Sequence, residues 1–265
     1  ARGLVNITNH GKALFTELPR LNFWRAPVDN DFGAGIQNKL SVWTVASQRI
    51  TWKQTALEEY DNNTVIKYEC RIGGIDARVD MTYTVNQDGS LTLESHYKPL
   101  SDQIPEMMRF GMSMTLPKTY DNFTWYGRGP WENYVDRNRD AFMGIYNGNV
   151  KEQNYPYFRP QETGNKTDVR WLILKDASGS GILIEGAQPL SVSATNNRPE
   201  DMDPGLTKKQ QHSSDIVPRN ETVLCVDLFQ RGVGGLESWG APPLDQYRFW
   251  GNKEHKYSYT ISVVK

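Results

Sequence analysis

The strongest constraint on this chain is a two-residue rhythm. Apolar and polar residues alternate from Val79 to Val85, Asn86-Gln87-Asp88-Gly89 breaks the run, and alternation resumes from Leu91 to Tyr97. A period of two sends successive side chains to opposite faces of an extended strand, and Asp-Gly is a hairpin turn signal. Val65 to Ile72 and Met108 to Leu116 read as further strands. Trp171–Leu174 and Gly181–Ile184 flank a second turn, and Thr222–Phe229 and Tyr257–Val264 close the series. Short strands separated by turns predict an all-β antiparallel sandwich or barrel. No long amphipathic helix pattern, linker or fixed-period repeat divides the sequence, so residues 1–265 are read as one domain. The longest irregular stretch is 196–220, punctuated by Pro199, Pro204, Gly205 and Pro218. It is expected to carry a helical turn around Leu206–Gln211 or to act as a flap beside a site.

Charge removes several functional classes. Thirty basic and 31 acidic side chains leave a net charge of −1, which offers no electrostatic basis for binding nucleic acid or an anionic membrane. No apolar run approaches the roughly 20 residues of a membrane-spanning helix. Cys70 and Cys225 lie in strand-like apolar runs and read as small packing residues, with a disulfide left open. Asn6, Asn62, Asn122, Asn165 and Asn220 head Asn-x-Thr acceptor sequences. His10, His96, His212 and His255 are scattered without metal-ligand spacing, and no metal site is expected.

Three segments stand out. The first is Asn22-Phe23-Trp24-Arg25-Ala26-Pro27-Val28-Asp29-Asn30-Asp31; the second runs from Trp125 to Arg137. Both mix aromatic, charged and turn residues, a composition that suits either a sugar site or buried Arg–carboxylate pairs pinning long loops to a sheet. The structural reading is preferred, pairing Arg25 with Asp29 or Asp31, and Arg128 or Arg137 with Glu132 or Asp136. Glu132 and Asp136 also have the chemistry of a glycosidase acid and nucleophile, but nothing else in the sequence supports that role. The third segment, Gly232-Val233-Gly234-Gly235-Leu236-Glu237-Ser238-Trp239-Gly240, packs four glycines around one tryptophan. Such a loop can fix an indole at the surface, where it can lie against a sugar face. It is not a dinucleotide fingerprint, because Glu237 replaces the third glycine of that pattern and no helix follows.

Together with Pro156-Tyr157-Phe158-Arg159-Pro160-Gln161-Glu162-Thr163-Gly164, these segments occur in an order that resembles the C-terminal domain of the large β-galactosidases of glycoside hydrolase family 2. The resemblance runs from about Asn22 to the end. It implies a large antiparallel β-supersandwich similar to galactose mutarotase-like domains. It also implies a retaining parent enzyme whose catalytic glutamates lie in a separate TIM barrel, so that this chain has no catalytic residue and is inactive alone. Trp239 would supply an aromatic platform for the sugar on the aglycone side, with Gly235 and Ser238 shaping its loop. No cofactor is implied for this chain; magnesium and sodium belong to the parent's other domains. The implied partners are a β-galactoside substrate and the other domains. Members differ in subunit assembly, so a homo-oligomeric parent is allowed without a subunit count, and the compartment stays open between bacterial cytoplasm and periplasm. The chain departs from the family in carrying Leu236-Glu237 where acidic residues are frequent, which bears on aglycone preference. Two rivals remain: a stand-alone carbohydrate-binding module, and an aldose mutarotase in which His96 or His212 would act with a carboxylate.

Overall fold

The structure, a computed structural model, describes residues 6–9, 11–237 and 240–264. Strands β1 (Thr8–Asn9) and β2 (Lys12–Ala13) form a small hairpin. The other twelve belong to one sheet. They are β3 (Glu17–Asn22), β4 (Ile50–Tyr60), β5 (Asn63–Ile72), β6 (Ala77–Asn86), β7 (Leu91–Pro99) and β8 (Arg109–Pro117). Then come β9 (Asn122–Gly129), β10 (Phe142–Asn149), β11 (Lys166–Lys175), β12 (Gly181–Thr195), β13 (Glu221–Gln230) and β14 (His255–Val264). All the pairings are antiparallel.

The sheet forks at β12. One edge of this 15-residue strand pairs with β11; the other pairs with β14 through Gly181–Gly186 and then with β13 through Ser191–Thr195. From the fork one arm continues β14-β7-β6-β5-β4 and the other β13-β8-β3. The arms pack face to face. Phe110 of β8 meets Tyr257 of β14 edge-on at 5.4 Å and Tyr97 of β7 at 5.8 Å. Tyr259 of β14 donates its hydroxyl to Met112 Sδ of β8 at 3.0 Å. This is the expected antiparallel supersandwich. Its core is made by alternate residues: Val79, Met81 and Tyr83 from β6, Leu91, Leu93 and Tyr97 from β7, Phe110, Met112, Met114 and Leu116 from β8. Truncating a ring such as Phe110 to alanine here costs about 3–5 kcal/mol.

Strands β8 and β13 are buried on both faces. Phe110, Met112, Met114, Leu116, Leu224 and Val226 face the core, whereas Arg109, Ser113, Thr115, Cys225 and Asp227, with Val223 among them, line a second, mostly polar face. Loops must cover that face and satisfy its polar groups, and the motif segments do so: Ala26, Gln161, Glu162 and Thr163 border a small cavity with Arg109, Ser193, Thr195 and Cys225.

Two details differ from expectation. The Trp125–Arg137 segment is not all loop, since its first five residues end β9. Within 196–220 the helical turns are a short helix at Pro199–Met202, preceding Leu206–Gln211, and a 3-10 turn at Ser213–Asp215 following it. Asn165 is buried, so its acceptor sequence is closed to glycosylation in the folded chain. Cys70 and Cys225 are both free thiols, and burial pushes them up to about 12 and about 11.

Candidate functional site

Helix α1 (Asp29–Ala34) follows the Arg25–Val28 strap, and the Asp31 carboxylate organises both. Its Oδ2 accepts from Arg25 Nη1 at 2.7 Å and from the Val28 amide at 2.9 Å; its Oδ1 accepts from Arg231 Nη1 at 3.3 Å. All three charged groups are buried, so each depends on the others for charge compensation. Arg231 reaches onward to Glu106 at 3.3 Å, which also holds Arg248 at 2.8 Å. Asp29, the alternative partner for Arg25, faces outward and takes Lys208 at 2.5 Å and Arg159 at 3.5 Å.

The second segment divides its carboxylates between two tasks. Glu132 Oε1 accepts from Arg137 Nη2 at 2.6 Å and from the Tyr157 hydroxyl; Oε2 accepts from the Gly164 amide at 2.8 Å and Thr163 Oγ1 at 2.9 Å. With four donors around it, Glu132 has no lone pair directed at a substrate. Among the described residues Asp136 pairs with no cation. It receives the backbone amides of Val233 at 3.1 Å and Gly234 at 2.7 Å. Arg128 turns away from both and pairs with Asp168 at 2.5 Å, donating also to the Ala141 and Asn138 carbonyls.

Asp136 therefore clamps the neck of the glycine-rich loop. A Cβ on Gly232 would lie 2.5 Å from Asp136 Oδ2 and one on Gly234 3.1 Å from it, which is why glycine stands at both positions. Asn30 Nδ2 donates to the Val233 carbonyl at 3.2 Å from the α1 side. Gly235 approaches the Ala241 carbonyl, and Gly240, at φ 108°, lies against Gly33 of α1. Ser238 and Trp239 lie outside the described residues; both flanks of the loop that carries them are anchored, one by Asp136 and Asn30, the other against α1.

All four motif segments meet. Val28, Asp29 and Asn30, Tyr134 and Arg137, Tyr157, Gln161 and Glu162, and Val233 enclose a surface cavity of about 120 Å³. Val28, Tyr134 and Val233 form its apolar base. Beneath it, on the polar face of β8 and β13, Arg109 sits 3.0 Å from Asp227 and 3.5 Å from Glu162. Burial pushes both carboxyls up and Arg109 pulls them back. The sequence reading did not include this triad. Its signal was charged Arg109 and Asp227 inside otherwise apolar strand runs. The histidines considered for mutarotation stand on separate elements: His96 pairs with exposed Glu254 at 2.8 Å, and His212 packs edge-on against Phe158.

Residues 1–262 match the family described as β-galactosidase small chain. The chain belongs to that family. It is 34% identical over 245 residues to a β-galactosidase from Priestia megaterium, covering 92% of this chain and 23% of that protein. It is 30% identical over 265 residues to a β-galactosidase from Halalkalibacterium halodurans, covering 98% and 26%. The small-chain sequence thus spans about a quarter of the length of these curated relatives. Among solved structures, a galactose 1-epimerase from Lactobacillus acidophilus aligns with a TM-score of 0.44 at 7% identity, covering 80% of this chain and 66% of that one.

Proposed function

We propose that this chain is the domain that completes the active-site mouth of a retaining β-galactosidase. Its catalytic acid/base and nucleophile belong to another domain of the parent, and hydrolysis there proceeds by double displacement through a covalent galactosyl intermediate. The small-chain domain contributes binding and positioning, with Trp239 presenting its indole to the sugar on the aglycone side. The observation that carries this reading is the convergence of the four motif segments on one surface, where Asp136 fixes the neck of the Trp239 loop. The two carboxylates closest to a catalytic role in sequence, Glu132 and Asp136, are occupied by fixed donors. The magnesium and sodium implied for the parent are assigned to its other domains, and no step given to this chain passes through them.

Hydrolysis of a chromogenic β-galactoside, by the chain alone and mixed with the separately produced remainder of its parent, tests the reading. Turnover should appear only in the mixture. In the full-length enzyme Trp239→Ala should cost about 2 kcal/mol or more of aglycone binding if the ring is a desolvated anchor. Turnover by the chain alone, or unchanged kinetics in Trp239→Ala, would overturn it.

A further inference from the structure

The cavity where the motif segments meet does not end at its own rim. Arg137 and Tyr157, which line it, also line a second and larger hollow of about 610 Å³. The two adjoin, and together they form one groove that starts at Val233, in the neck of the glycine-rich loop. The larger part is built from Pro130 and Trp131, just after β9, and from Glu152 to Tyr157, just after β10. Its volume falls within the range of roughly 300–1,000 Å³ for ligand sites.

Two aromatic side chains of this groove stand in water. Trp131 is 64% exposed and Tyr155 57% exposed. Neither is a loose surface residue, because both are held through their backbones. The Trp131 carbonyl accepts from Asn133 Nδ2 at 3.0 Å, and Asn133 is buried. The Tyr155 amide donates to Thr163 Oγ1 at 2.8 Å, and that hydroxyl donates in turn to Glu132 at 2.9 Å. The Tyr155 ring also packs against Tyr157 at 4.7 Å. Exposed rings on an anchored backbone bring contact area to a ligand at low cost in conformational entropy.

The charged groups beside the rings are exposed as well. Asp140 and Glu152 are exposed, and the Arg137 side chain is half exposed although it reaches Glu132. Glu132 itself is spent on its four donors, so the groove offers binding and no chemistry. Two carboxylates disfavour an anionic ligand, and the guanidinium in the same wall disfavours a cationic one. Flat rings flanked by both kinds of charge suit a neutral chain of sugars. The rings cover the C–H faces of such a chain, while its hydroxyls donate to carboxylates and accept from the guanidinium.

We propose that this groove is a distal subsite for β-galactosides whose aglycone is a neutral oligosaccharide, with Trp131 and Tyr155 stacking on its sugar rings. The inference rests on the reading that the Trp239 loop borders the active-site mouth. An aglycone leaving that mouth passes Arg137 and Tyr157 and enters the groove.

Two measurements test it. The first is saturation-transfer NMR of the full chain with β-1,4-galactotetraose, which needs neither the active site nor Trp239. Saturable binding is expected, weakened about tenfold in Trp131→Ala and largely restored in Trp131→Phe. The second is kcat/KM of the full-length parent enzyme on galactobiose through galactopentaose. It should rise with chain length, and Trp131→Ala or Tyr155→Ala should lower it about tenfold more for galactotetraose than for galactobiose, through KM. Both rings are exposed, so neither variant removes core packing. Absence of galactotetraose binding, tighter binding of tetralysine, or kcat/KM independent of chain length each overturns the proposal. So does a Trp131→Ala enzyme equally impaired on every substrate, since another domain of the parent then covers the rings. Unchanged kinetics in Trp239→Ala sinks the loop reading instead, so the two failures are told apart.

Discussion

Replacing Asp136 by alanine isolates the clamp that positions the glycine-rich loop. The side chain makes two charge-assisted hydrogen bonds, to the Val233 and Gly234 amides. Bonds of this kind contribute about 1.5–3 kcal/mol each, and the low end applies because Asp136 is half-buried and water can replace it. Allowing for that replacement leaves about 2 kcal/mol for the pair. The loss falls on local opening of the loop rather than on global unfolding, because both amides belong to the loop that follows β13 and not to a strand ladder. About 2 kcal/mol is roughly a thirtyfold rise in the opening equilibrium, read directly as faster hydrogen exchange at Val233 and Gly234. Asp136→Asn keeps one acceptor, so one of the two amides should stay protected. In the parent enzyme Asp136→Ala should raise KM for bulky aglycones more than it lowers the rate of the chemical step. Unchanged exchange at both amides in a folded Asp136→Ala protein would refute the clamp and, with it, the account of how the loop is held.

Three further outcomes follow from the packing. Gly232→Ala should destabilise the chain more than Gly234→Ala, by about 1–3 kcal/mol in denaturant unfolding, because its Cβ would stand closer to Asp136 Oδ2. Asp31→Ala leaves Arg25 and Arg231 buried without their shared carboxylate and should cost about 3–5 kcal/mol; equal stability of this variant would refute the network. Lys166 is buried over the Trp125 ring, and burial lowers its ammonium to about 8. Between that value and its ordinary one near 10.5 the unfolded chain holds the extra proton, so this group makes stability rise with pH across that window. The Lys166→Met protein should lack that increment, and the gap between the two denaturant midpoints should change between pH 7 and pH 10. A constant gap would count against it.

Period-two alternation made β6, β7 and β14 legible because each keeps one face on the core and one toward solvent. Strand β9 escaped the reading: Trp125, Gly127 and Gly129 occupy its inward positions, and the glycines hide the alternation. The motif segments were visible as unusual composition, but their wiring was not. Arg128 finds Asp168, 40 positions away, because the register aligns Tyr126 of β9 with Trp171 of β11. Asp136 binds backbone amides, a partner that no charge pattern announces.

The fork at β12 decides how the chain would break. The 196–220 segment leaves the sheet at the end of β12 and returns in β13, the strand hydrogen-bonded to it. It carries many exposed side chains, from Leu206 to Lys209 among others, and so offers a protease its easiest cut. Yet a cut there severs nothing that the ladder does not already hold: the upstream piece keeps β8 and β12 on either side of β13, and the downstream piece keeps β14 wedged between β12 and β7. The nicked protein should run as one species under native conditions and as two in denaturant, a pair of fragments interlocked by a strand that belongs to both arms.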